Sequence, residues 1–67
     1  MEAPAGYALF LVQFKNYPME KCLGWFERDL RVWHVETAAF AHLVVNFDAV
    51  EILQELKPAA ETQFKSA

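Results

Sequence analysis

Apolar residues recur along this chain with two different periods, and the changes of period divide it into predicted elements. From Tyr7 to Lys15 aromatic and branched residues follow one another (Tyr-Ala-Leu-Phe-Leu-Val-Gln-Phe-Lys), a composition that predicts a strand. Its alternate faces are Ala8, Phe10, Val12, Phe14 and Tyr7, Leu9, Leu11, Gln13. Both are largely apolar, as in a strand covered on both sides. Ahead of it, Met1 to Gly6 with Pro4 reads as an irregular arm. Behind it Asn16-Tyr17-Pro18 breaks the run, and Pro18 suits the first position of a helix, where its missing N–H would have no partner anyway. Met19, Cys22, Leu23, Phe26 and Leu30 then fall at the spacing of one helical stripe. Glu20 lies near the positive end of that helix dipole, and Glu27, Arg28 and Arg31 form a solvated side. Gly24 costs about 1 kcal/mol against alanine inside such a helix, unless it is there to let another backbone come close.

Arg31 to Glu36 alternates as a second strand, with Trp33 and Val35 on one face and Val32 and His34 on the other. Thr37-Ala38-Ala39 offers little turn chemistry. Phe40 to Phe47 fits a strand (Ala41, Leu43, Val45, Phe47) and a helix (Phe40, Leu43, Val44, Phe47) equally by period. The Val44-Val45 pair and the bounding Asn46 favour the strand. Asp48 with Glu51 makes a capping-box pattern for a last helix. That helix carries Ala49, Ile52, Leu53 and Leu56, and Pro58 stops or kinks it. Ala59 to Ala67 either resumes as a short turn around Phe64 or frays. The order β-α-β-β-α predicts an α+β domain, a small antiparallel sheet with two helices on one face.

Sixty-seven residues make one small domain, and such a chain buries only about 60% of its unfolded surface. Yet 55% of it is hydrophobic and 15% aromatic, more than so little interior takes up, so apolar surface is expected to face a protein partner or a second copy. Core stripes account for Phe10, Phe14, Phe26 and Phe47. Tyr17, Trp25 and Trp33 are harder to bury together, and Trp and Tyr dominate interface hot spots. With Tyr7, Leu9 and Leu11 on the spare face of the first strand, they are the candidate partner-binding residues.

Charge and chemistry narrow the choice by exclusion. The net charge is −3, and Lys15, Lys21, Arg28, Arg31, Lys57 and Lys65 are scattered among acids. Direct nucleic-acid binding, which needs a basic patch, is not expected. The longest charge-free apolar run, Thr37 to Phe47, is about half of the ~20 residues a membrane span needs. The single Cys22 forms no internal disulfide and no signal peptide is visible, so the expected location is intracellular and reducing, cytoplasmic or nuclear. Cys22 with His34 or His42 could form a thiolate–imidazole pair, but a place on an apolar stripe raises a thiol pKa rather than lowering it. The only plausible metal ligands are His34, His42, Cys22 and Glu36, without a ligand-spacing motif. A hairpin pairing His34 with His42 would set Glu36 opposite Phe40. No glycine-rich phosphate loop is present. Neither catalytic residues, a metal nor a cofactor is expected; the chain reads as a binding module and not an enzyme.

The opening Glu2-Ala3-Pro4-Ala5-Gly6-Tyr7-Ala8-Leu9-Phe10 resembles that of the Nop family, core proteins of box C/D small nucleolar ribonucleoproteins. There an acidic residue and a short turn precede a Gly-Tyr-Ala-hydrophobic-Phe strand. Val35-Glu36 with Ala39-Phe40, then Asp48-Ala49-Val50-Glu51-Ile52-Leu53, is similar in order and spacing; the stretch Ala41 to Phe47 is an addition to that pattern. The resemblance implies a non-catalytic amino-terminal domain that docks the fibrillarin methyltransferase in ribonucleoprotein assembly. More generally the residues predict a hetero-association module. The alternatives are a self-assembling subunit that forms homo-oligomers and a short inhibitor that binds a host protein.

Overall fold

The computed structural model describes residues 1–59. They form β1 (Leu9–Phe14), β2 (Tyr17–Glu27), β3 (Val32–Glu36), β4 (Leu43–Asn46) and β5 (Val50–Lys57), with a single 3-10 turn, Phe47–Ala49, before the last. All pairings are antiparallel, and the sheet order is β4-β3-β2-β1-β5.

That order puts β4 and β5 on opposite edges although only three residues join them. In a flat sheet the two edges would lie four interstrand gaps apart, roughly 19 Å. The link from Asn46 to Val50 reaches at most about 14 Å fully extended, and less when wound as a 3-10 turn. The sheet must therefore curl until its edges approach. β2 is where it turns. Its first part pairs with β1 as far as Gly24, and its last part, from Leu23 on, pairs with β3. A strand shared in this way forms the corner between two layers that fold over a common core.

The core lies inside the curl. Val12, Cys22, Trp33, Val35 and Val50 are buried, ringed by Phe10, Phe14, Phe26, Leu43, Val45 and Ala49. Gly24 is the pivot of this packing. It sits between Phe10 on β1 and Val35 on β3, and a Cβ there would lie 2.8 Å from Val35 Cγ1 and 3.1 Å from the His34 carbonyl oxygen. The missing side chain lets Trp33 reach across β2 to meet Phe10 edge-on, with centroids 5.7 Å apart, while Phe26 packs on its other side at 5.3 Å.

The α+β expectation is overturned: the fold is all-β, and neither predicted helix forms. The stripe Met19–Leu30 belongs to β2 and its following turn, and its two ends are exposed (Met19 84%, Leu30 67%) rather than buried. Cys22, Gly24, Trp25 and Phe26 are weak helix formers, and without β2 the strands β1 and β3 would each lose a neighbour. Pro18 is accommodated because the first half of β2 pairs on one side only, where a missing N–H costs no ladder bond. The predicted last helix is β5. Asp48 lies within the 3-10 turn, at whose start Asn46 makes no side-chain cap. Two register shifts against β1 leave Leu53 and Leu56 as unpaired extra residues. Each bulge interrupts the period of two, so a twice-bulged strand acquires the apolar spacing of a helix.

The strand expectations fare better. Tyr7–Lys15, Arg31–Glu36 and Phe40–Phe47 contain β1, β3 and β4. β3 and β4 pair His34 with Val44, two residues away from the pairing of His34 with His42. The expected turn around Phe64 lies outside the described residues. Among those described, no helix is long and apolar enough to cross a membrane.

Gly24→Ala should lower stability by about 1–3 kcal/mol, the usual cost of overpacking, in urea unfolding of the purified chain. In a helix the same change would raise stability by about 1 kcal/mol, so the sign alone distinguishes the two folds.

Candidate functional site

Two groups of side chains lie on the outside of the curl. The first occupies the outer face of β2 and β3, where Trp25 is directly opposite His34. A turn at Pro4–Tyr7, closed by the Tyr7 N–H donating to the Pro4 carbonyl at 3.0 Å with Gly6 at φ 87°, brings Tyr7 edge-on to Trp25 at 5.0 Å. Trp25 stacks flat on His34, with centroids 4.1 Å apart and planes 7° from parallel. The Arg28 guanidinium covers the Tyr7 ring at 4.2 Å.

Beneath the Trp25 ring, His34 uses both its nitrogens. Nε2 is 2.7 Å from Glu27 Oε1, and Nδ1 is 2.7 Å from His42 Nε2. A carboxylate accepts, so with His34 as the neutral imidazole Nε2 carries the proton and Nδ1 accepts from the His42 Nε2–H. The result is a carboxylate–imidazole–imidazole chain that fixes both rings. Cys22 pairs across from Val12 on the inner face, with the sheet between it and the histidines, so the two do not form a thiolate–imidazole pair. Burial pushes the Cys22 thiol above its ordinary 9.0, and the nearby Glu20 carboxylate adds to the rise. Among the described residues no three His, Cys, Asp or Glu side chains gather as metal ligands.

The second group is a groove at one end of the curl, with a volume of about 320 Å³, at the small end of ligand sites (roughly 300–1,000 Å³). Phe14 and Tyr17 face each other across the β1–β2 hairpin and form one wall, and Phe40 and Leu43 from β3–β4 form the other. Among the described residues Glu20 is the one charged residue lining it. Tyr17 and Phe40 are 61% and 57% exposed, yet the backbone beneath Phe40 is tied down. Thr37 Oγ1 accepts from the N–H groups of Ala39 at 3.2 Å and Phe40 at 2.9 Å. The Thr37 N–H donates to the Phe40 carbonyl at 2.9 Å, and Glu20 Oε2 accepts from the Ala38 N–H at 3.4 Å.

Of the residues predicted to meet a partner, Tyr17 lines this groove. Trp25 and Tyr7 are half-buried in the outer cluster, and Leu9 and Leu11 are half-buried on β1. Trp33 is 5% exposed and serves the core, beyond the reach of a partner. Phe14, Glu20, Phe40 and Leu43 were not among the sequence candidates. The signal for Phe40 was Thr37, whose hydroxyl organises a turn on its own backbone, contrary to the expectation of little turn chemistry there. The signal for Glu27 was its diagonal position to His34 once Trp25 and His34 are paired.

Compared with protein-family models, curated proteins and solved structures, the chain gives no match that would assign it to a family.

Two measurements check these arrangements. Long-range proton–nitrogen NMR should find His34 and His42 both as Nε2–H tautomers at neutral pH, and Glu27→Ala should release His34 from that state. For Cys22 the folded pKa is raised, so its contribution to stability is whole below about pH 9 and is lost as pH climbs through the folded value. Between these limits the wild type should lose stability with pH faster than Cys22→Ala does.

Proposed function

We propose that this chain is a non-catalytic protein-interaction module whose receiving surface is the groove between the β1–β2 hairpin and the β3–β4 loop. The observation that carries the reading is a pair of well-exposed aromatic side chains, Tyr17 and Phe40, held on fixed backbone around an apolar cleft. Aromatic side chains on rigid supports contribute large contact area at little entropic cost on binding. The likeness of Glu2–Phe10 to Nop proteins gives the reading one concrete partner class, a methyltransferase of the fibrillarin type, and that suggestion rests on the sequence of the segment alone.

The β5 edge favours a second reading, self-association. β5 pairs with β1 only, and its residues after Val50 are all exposed, which leaves a row of backbone donors and acceptors open to another strand. Two copies pairing antiparallel about Gln54 would set Glu51 opposite Lys57 and Ile52 opposite Leu56, one charge pair and one apolar pair on each side. The bulges at Leu53 and Leu56 oppose such pairing by twisting the edge.

A random peptide library selected against the immobilised chain should yield binders that lose affinity at least tenfold with Tyr17→Ala/Phe40→Ala, a double variant at exposed positions that leaves folding intact. Retained affinity would place the receiving surface elsewhere. In sedimentation over a hundredfold concentration range the groove reading expects a monomer. A dimer that Ile52→Lys dissolves would establish the edge reading instead.

A further inference from the structure

The composition of the groove says more than that it is apolar. Among the described residues three of its lining side chains are aromatic, Phe14, Tyr17 and Phe40, and its one charged group is the Glu20 carboxylate. Arg28 and Arg31 are already seated on other rings, those of Tyr7 and Phe47. Aromatic faces carry negative quadrupole potential, and several around one small cavity attract a cation that gives up its water cheaply. An unmodified ammonium is compact and strongly hydrated; a trimethylammonium spreads the same charge over apolar methyl groups and loses less on entering. A carboxylate at the edge of the cavity supplies the complementary charge. One of its oxygens, Oε2, accepts from the Ala38 N–H at 3.4 Å, a neutral donor that leaves the carboxylate its charge.

Building on the groove reading, we propose that the groove recognises a trimethylated lysine side chain of a partner protein, the trimethylammonium sitting among Phe14, Tyr17 and Phe40 with Glu20 beside it. Leu43 and Ala39 on the same lining suit the aliphatic stem of a lysine. A choline headgroup carries the same cation, but its phosphate would approach Glu20 on a chain of net charge −3, which favours the lysine.

The test titrates the full chain, followed by proton–nitrogen NMR, with four probes: Nα-acetyl-trimethyllysine amide, the unmethylated lysine amide, the uncharged isostere in which carbon replaces the trimethylated nitrogen, and phosphocholine. The expected result is shifts centred on Asn16, Tyr17, Glu20 and the amides from Thr37 to Phe40. Trimethyllysine should bind about tenfold tighter than either the isostere or unmodified lysine. Phe40→Leu, which keeps apolar bulk without a ring, should lose most of that preference, and Glu20→Gln a smaller part. Equal binding of the isostere would overturn the cation assignment and leave the groove reading standing. So would silence toward all four probes while library peptides still bind at Tyr17 and Phe40. Preference for phosphocholine would overturn the lysine in favour of a headgroup. Failure of the library peptides as well would remove the groove reading itself.

Discussion

A three-residue turn between the two outermost strands is the constraint on which the rest of this fold depends. Phe47–Ala49 cannot span a flat five-stranded sheet, so the sheet rolls, and β2 becomes a corner shared by both layers. The turn is held to the opposite end of β1 by the Lys15 N–H, which donates to the Ala49 carbonyl at 3.0 Å. Rolling brings β1 and β3 close enough for Phe10 to touch Trp33 across β2, and only a residue without a side chain fits between them, which is the place of Gly24. The groove follows from the same geometry. A rolled sheet of five short strands does not close at its ends, and at one end the hairpin aromatics Phe14 and Tyr17 stand opposite Phe40.

Much of this was legible in the sequence, and what was not has definite physical causes. β1, β3 and β4 are short and rich in branched and aromatic residues, so their local signal agrees with their final state. β2 and β5 are the elements whose local signal conflicts with it. β2 carries apolar residues on both faces because one face meets the core and the other carries Trp25 over His34, and two apolar faces together imitate a helical stripe. β5 owes its misleading spacing to Leu53 and Leu56, extra residues that only pairing with β1 reveals as bulges. In both, the hydrogen-bonding demand of neighbouring strands outweighs local propensity. The site was half legible: Tyr17 stood out by residue type, but Glu20 and Phe40 become neighbours only through the roll of the sheet. Trp33 stood out by residue type as well, and its burial depends on the absent side chain of Gly24, a relation between residues nine apart on adjacent strands.

The apolar surplus of the sequence is real but unevenly distributed. Among the described residues five hydrophobic side chains are buried, Val12 and Val35 of them completely, a small core even for a domain of this size. Part of the surplus is absorbed on the outer face, where Tyr7, Trp25 and His34 cover one another, and Glu27 and His42 satisfy the polar atoms of the imidazole between them. Exposed large apolar side chains are scattered at Met19, Leu30, Val44 and Phe47 and adjoin one another in two places, the groove and the β5 edge. The first is bounded by a fixed loop, and the second is interrupted by bulges, which is how sheet proteins blunt an unpaired strand. That contrast is the physical reason to assign recognition to the groove.

The position of β1 has a consequence for how the chain comes to be folded. It is the first strand described and the central one of its layer, and one of its two neighbours, β5, is the last strand described. Pairings between distant segments form late, because chain closure must be paid for before any contact rewards it. Until Val50–Lys57 has arrived, β1 is an apolar strand with one bare edge, flanked by Leu9, Leu11 and Phe14. A nascent or truncated chain ending before that point would therefore hold its most aggregation-prone segment open to any strand of another molecule.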